Sequence, residues 1–150
     1  MFTLFLDFDG VLHPEFCHPS KYFSSLAHFE GAVRRMPDVR VVISSTWRLQ
    51  RTLEQLRDLF SADVARLIVG VTPVASTLES VPDSLLGYER EAECVAWLRS
   101  RQESHFPWLA LDDRAWLFRP FSQFLYLTDG EVGLTQELAE GLVAKVASLR

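Results

Sequence analysis

Asp7 and Asp9 stand two residues apart at the end of the apolar run Phe2-Thr3-Leu4-Phe5-Leu6, with Gly10 directly after them. A buried strand that ends in two carboxylates brings like charges close together, and their repulsion calls for a cation or a shared proton. Hard carboxylate oxygens suit Mg²⁺. A second acidic pair, Asp112-Asp113, ends the run Trp108-Leu109-Ala110-Leu111, and the hydroxyl triplet Ser44-Ser45-Thr46 ends the run Val39 to Ile43. Oxygen-rich clusters of this kind point to a metal-assisted site at the carboxyl ends of strands.

The three clusters converge only if the strands that carry them lie side by side in one direction. The segments alternate accordingly. Phe2 to Asp7 reads as a buried strand. Leu26, Phe29, Val33 and Met36 have helical spacing up to Pro37, which stops that helix. Val39 to Ile43 is a second strand, and Leu49, Leu53, Leu56 and Phe60 mark a second helix. Leu67 to Val71 is a third strand, and Val74 to Gly87 a loop. Glu89 to Arg101 is a helix, Trp108 to Leu111 a fourth strand and Phe124 to Leu127 a fifth. Thr135 caps a last helix with Leu138, Leu142, Val146 and Leu149 on one face. Such alternation predicts an α/β fold with a mainly parallel sheet covered on both faces, and a ligand site beyond the carboxyl ends of the strands.

The 150 residues fit one domain, residues 1–150, with a real core. Hydrophobic residues make up 48% and charged residues 23%, a globular balance. No apolar run approaches a membrane span, and Asp7 and Asp9 interrupt the first one with no basic segment before it, which argues against a signal peptide. Cys17 and Cys94 form no metal-like pair, so a reduced, cytoplasmic chain is expected. The net charge of −5 argues against a general nucleic-acid-binding surface. Six arginines lie between Arg34 and Arg57 against only Asp38 and Glu54, a solvated helix face or a local basic groove.

The motifs resemble those of the haloacid dehalogenase-like (HAD) hydrolase superfamily. Asp7-Phe8-Asp9-Gly10-Val11 matches its motif I, Val41-Val42-Ile43-Ser44-Ser45 motif II, and Leu109-Ala110-Leu111-Asp112-Asp113 motif IV; motif III is a basic residue upstream of the fourth strand. The likeness spans residue 2 to about residue 113. Ser44-Ser45-Thr46-Trp47, Gly70-x-Thr72, Trp108 to Asp113 and Gly133-Leu134-Thr135 look closest to small HAD domains related to those of bacterial RNA-repair proteins. The resemblance implies a Rossmann-like three-layer sandwich with five strands in the order 5-4-1-2-3. It also implies a Mg²⁺-dependent phosphatase that works through an aspartyl-phosphate.

Within that resemblance Asp7 is the nucleophile. Asp9 is the acid for the leaving oxygen and then the base for water, and offers its backbone carbonyl to Mg²⁺. Gly10 lets the chain turn tightly beside the substrate. A serine of motif II hydrogen-bonds the phosphoryl group. Alignment on Trp47 favours Ser45, and counting from the apolar run favours Ser44; these hydroxyls and Thr46 are equally cap candidates for the next helix. Arg90 fits motif III, with Arg114 as the substitute. One of Asp112 and Asp113 binds Mg²⁺ while the other holds Arg90 or a metal water, so the metal set is Asp7, Asp9, Asp112 and Asp113. Arg48 and Arg51 either reach a distal substrate phosphate or lie in solvent. Trp47 reads as a packing residue. His13, Cys17 and His18 read as a polar loop near the site rather than a zinc centre. Asp129 is a remoter candidate.

Superfamily caps are inserted after the motif I hairpin or after the third strand. Both gaps here are too short to fold independently, so the cap is minimal and the site open. An open site suits a phosphate on a protruding substrate, such as a nucleic-acid end or a phosphoprotein; a small phosphate ester calls for a partner subunit to close the site. Two other readings stand beside this one. A non-catalytic domain binds phosphate or a phosphorylated partner without turnover. A receiver-like domain carries its phosphorylated Asp on a middle strand, but here the third strand ends in Gly70-Val71-Thr72-Pro73.

Overall fold

Phe2, Leu4, Phe5 and Leu6 make a strand that is apolar on both faces, and such a strand is stable only inside a sheet covered on both sides. The computed structural model, which describes residues 1–150, puts it there. Strand β1 (Phe2–Leu6) is the central member of a five-stranded sheet with β2 (Val39–Ile43), β3 (Ile68–Val71), β4 (Trp108–Asp112) and β5 (Leu125–Leu127). Every pairing is parallel, and the order is β3-β2-β1-β4-β5, the expected one read from the other edge.

The two faces of the sheet differ. Helices α1 (Leu26–Val33), α2 (Leu53–Arg57), α3 (Ala62–Ala65) and α5 (Gln136–Leu149) belong with the larger core, in which Phe2, Leu4, Leu6, Val41, Ile43, Leu109 and Leu111 meet Phe29, Leu56, Leu142 and Val146. Helix α4 (Glu89–Ser100) covers the other face, where Phe5, Val42 and Ala110 meet Cys94, Trp97, Leu98, Trp108 and Phe118. Phe5 packs edge-on to Trp97 and Trp108 with ring centroids 5.9 and 5.5 Å away. Cutting this ring back to alanine would cost about 3–5 kcal/mol.

The single helix expected from Leu49 to Phe60 is shortened to a 3-10 turn over Thr46–Leu49 and then α2, and α3 follows beyond Phe60. The hydroxyls of Ser45 and Thr52 cause the breaks by offering the backbone local partners. Thr52 forms a capping box with Gln55 and so begins a new helix. Ser61, extended at the start of α3, gives both its N–H and its hydroxyl to the buried Glu30 of α1 at 2.7 Å each. The 74–87 loop holds two short 3-10 turns, at Ala75–Thr77 and Asp83–Leu85. Thr135 caps α5 as expected, accepting from the Leu138 N–H at 3.1 Å. No helix is long and apolar enough to cross a membrane.

Candidate active site

Register and alternation assemble the site. Leu6 pairs with Ile43 and Leu111, and Ile43 pairs with Val71. One residue further on, Asp7, Ser44, Thr72 and Asp112 therefore stand level across four adjacent strand ends. Side chains alternate along a strand. Phe5, Val42 and Ala110 face α4, so Asp7, Ser44 and Asp112, two residues on, face the same way. Arg90, in the first turn of α4, reaches them from above: its Nη1 lies 2.8 Å from Asp112 Oδ2 and 3.3 Å from Asp7 Oδ1.

Asp7 is 4% exposed and Asp112 fully buried. Asp112 is occupied on both oxygens, by Arg90 and by the Arg114 N–H at 2.9 Å. Asp113 leaves its buried Oδ1 without a partner. Its carboxylate presses against two glycines. A Cβ on Gly10 would stand 2.2 Å from Asp113 Oδ2, and one on Gly130 would stand 2.5 Å from it. Gly10 also has φ +82°, a backbone region L side chains avoid, so both the turn and the close approach require glycine. Burial, the neighbouring Asp112 charge and then Asp113 push Asp7 well above the usual carboxylate range, against the opposing pull of Arg90. Burial and Asp112 raise Asp113 to about 6.

Asp9 has the opposite surroundings. Its side chain is 38% exposed. His13 Nε2 lies 2.7 Å from Oδ1, and the Trp47 indole N–H donates to both oxygens at 3.2 Å. His13 Nδ1 accepts from the Phe23 N–H at 3.3 Å, which places the ring proton on Nε2, facing Asp9. The His13 hydrogen bond, with help from Trp47, holds Asp9 below its ordinary range in spite of partial burial. Phe8, Tyr22 and Phe23 pack around His13 and Trp47 and fix both rings. Nothing in the spacing of Trp47, or of His13 in a polar loop, distinguishes a partner of Asp9 from a packing residue; only the fold brings them to it.

Several sequence expectations change. Ser45 Oγ accepts from the Trp47 N–H at 3.2 Å and so caps the 3-10 turn, with its own O–H still a donor. The buried Ser44 Oγ, on the Asp7 face, has no partner, nor does Thr72 Oγ1 beside it. Arg48 does not lie in solvent but turns inward. Its guanidinium binds Glu93 at 3.0 Å and the carbonyls of Ser44, Ser45, Thr72 and Pro73, because those strand-end carbonyls lack sheet partners. Arg114, the substitute for Arg90, is paired with Glu15 at 2.7 Å. The Asp9 carboxylate lies outside the metal-capable cluster, drawn off by His13 and Trp47. Thr46 is exposed and lines a cleft with Asp9. His18 turns to Ser20 and Asp129 to the Glu131 N–H. A cavity of about 550 Å³ lies between the 73–82 segment and α4 and contains none of these carboxylates.

Asp7, Asp112 and Asp113 place one oxygen each within 4.8 Å of one another, the only such cluster in the chain. Three converging carboxylates, two of them on one guanidinium and the third with a buried oxygen unpaired, form a donor set that fits a divalent hard cation. A family model described as the HAD domain in Swiss Army Knife RNA repair proteins matches residues 3–139. No curated protein and no solved structure matches the chain. A match over nearly the whole chain settles the family: the chain belongs to these HAD domains.

Proposed function

We propose that this HAD domain is a Mg²⁺-dependent phosphomonoester hydrolase that works through an aspartyl-phosphate on Asp7. The observation that carries the reading is the inner cluster, in which Asp7, Asp112 and Asp113 converge with Arg90 bridging the first two. Asp7 and Asp113 would hold the cation. Asp112 already holds Arg90 and completes the set from the side. Bound Mg²⁺ supplies positive charge that offsets the repulsion between a carboxylate and a phosphate dianion.

An Asp7 oxygen attacks phosphorus, the ester P–O bond breaks, and Asp9 gives its proton to the departing oxygen. Arg90 keeps Asp7 oriented and shares the charge of the transferring group. The free hydroxyl of Ser44 is available to the phosphoryl oxygens. Water then attacks phosphorus, Asp9 takes its proton, the Asp7–phosphorus bond breaks and inorganic phosphate leaves. Two N–H donors that favour ionised Asp9 suit this second step; the first needs the proton and gains as pH falls. Clefts of about 390 and 180 Å³ open on either side of Asp9. That openness and the RNA-repair setting named for the family favour a phosphorylated polynucleotide end as substrate.

The test is phosphate release from an aryl phosphate with and without Mg²⁺, followed by 3′- and 5′-phosphorylated oligonucleotides, nucleotides and sugar phosphates. Turnover that needs the metal and is lost in Asp7→Asn supports the reading. Absence of turnover with any divalent metal points instead to a domain that binds phosphate without hydrolysing it. Turnover of sugar phosphates alone sinks the polynucleotide assignment.

A further inference from the structure

The acid that protonates a leaving group must lie beside it, so the leaving group occupies the Asp9 side of the site. Two clefts open there. The smaller contains Glu15, whose carboxylate repels an anion and already holds Arg114. The larger, about 390 Å³, runs from Asp9 between Tyr22, Trp47, Leu49, Gln50 and Arg51.

Arg51 is the one arginine around the site without an anionic partner. Arg90 is held by Asp7 and Asp112, Arg48 by Glu93 and four carbonyls, and Arg114 by Glu15. Arg51 makes no ion pair and is exposed, yet it is not loose: its guanidinium carbon sits 4.2 Å from the Trp47 ring centroid. Stacking on an aromatic face orders the fork and leaves its N–H edge free for an oxyanion. Trp47 is the same ring that donates to Asp9, so the free cation and the acid are fixed to one side chain. Exposed Leu49 and Tyr22 supply apolar wall between them.

We propose that the substrate's leaving group carries a second phosphate, held by Arg51, with a flat or apolar body lying against Tyr22 and Leu49. The proposal rests on the phosphatase reading and names its substrate class: phosphomonoesters of molecules that are themselves phosphorylated. Two sources supply that chemistry, a nucleoside bisphosphate and the last internal phosphodiester of a strand with a terminal phosphate.

The experiment compares kcat/KM for a nucleoside monophosphate, the matching 3′,5′-bisphosphate and a terminally phosphorylated dinucleotide, in the native protein, Arg51→Gln and, as a remote control, Arg35→Gln. The native protein should prefer a substrate with a second phosphate over the monophosphate by about tenfold, as for one charge-assisted contact. The preference should shrink with salt, collapse in Arg51→Gln and persist in Arg35→Gln. Whether the bisphosphate or the dinucleotide gains more separates the two sources. Equal rates on all three substrates, or a preference that survives Arg51→Gln, overturns the proposal. The same comparison is made by calorimetric binding in an Asp7→Asn background, with and without Arg51→Gln. Failure of the native protein to turn over any ester in the rate comparison sinks the phosphatase reading. The affinity ratio still decides for or against Arg51.

Discussion

Asp7, 4% exposed, is surrounded by Asp112, Asp113 and Arg90, whereas Asp9, two residues later and with a 38% exposed side chain, lies between His13 and Trp47. The inner acid meets two like charges and a single guanidinium in a buried place, and its carboxylate is disfavoured until another cation arrives. The outer acid meets two N–H donors near solvent and ionises without help. Identical residues two positions apart thus become a group whose charge its surroundings oppose and a group whose charge they favour. Their partners set the roles rather than their type. Asp7 is suited to attack once its charge is balanced, and Asp9 to exchange protons.

The largest effect expected from breaking this contrast is at Asp7. Asp7→Asn should lower kcat by about 10³-fold or more, since an amide cannot form the acyl-phosphate. Asp9→Asn should act differently on different esters. An aryloxide leaves without a proton, so an aryl phosphate should lose less than an alkyl phosphate. Equal losses for both variants on both substrates would erase the distinction between the two acids.

The inner region should also dominate stability. Glu93 is buried on α4 between Arg48 at 3.0 Å and Arg90 at 3.7 Å, and it accepts from the Ala75 N–H at 2.9 Å. Burial raises it above the ordinary Glu range against the pull of Ala75 and the two arginines. Glu93→Ala would leave two buried guanidinium groups short of a counter-charge, a loss of about 3 kcal/mol in urea denaturation. The outer Asp9→Ala should cost much less, because solvent can take over its hydrogen bonds.

Much of this contrast was legible in the residues. Apolar runs ending in Asp7, Ser44 and Asp112 were enough to place a parallel sheet and the edge where the acids gather, because a buried apolar run and an abrupt acid are both local signals. The nearby capping hydroxyls were less legible. Thr52 divides a segment whose apolar spacing reads as one helix, since a capping box depends on which hydroxyl wins the backbone. The side-chain partners were not legible at all. Arg48 and Arg51 are three residues apart with the same charge, yet one folds inward to strand-end carbonyls and the other stacks on Trp47. The partner of His13 is four residues away, but that of Trp47 is thirty-eight away and exists only once β1 and β2 are paired.

The clamp on Asp9 gives a smaller, sharper test. His13→Phe keeps a ring against Tyr22 and Phe23 but removes the donor, so Asp9 should lose its fixed rotamer; kcat should fall about 10–100-fold with KM little changed. His13→Gln carries an amide N–H at the reach of Nε2 and should recover most of the loss. If His13→Gln is as impaired as His13→Phe while both remain folded, the ring matters for packing alone. The outer acid would then be held by Trp47 without it.

The smallest effect is one of pH, and it separates the two acids by sign. Asp113 is raised to about 6 and Asp7 is raised as well, against an ordinary value of 3.8, so the folded metal-free protein binds protons more tightly than the unfolded chain. Stability from these groups is therefore present at low pH and lost as pH rises through about 6. Asp9, which is lowered, has the opposite sign and acts only as pH falls below the ordinary carboxylate range. Metal-free protein should melt a few degrees lower at pH 7.5 than at pH 5, at roughly 2–4 °C per kcal/mol for a chain of this size. Mg²⁺ should restore the loss at pH 7.5 and do little at pH 5, where protons compete for the same oxygens. Asp113→Asn should flatten the slope and weaken the Mg²⁺ response together, whereas Asp9→Asn should leave both in place. A slope that follows Asp9 instead would mean that the like-charge conflict lies at the outer acid, and the assignment of metal to the inner one would fail with it.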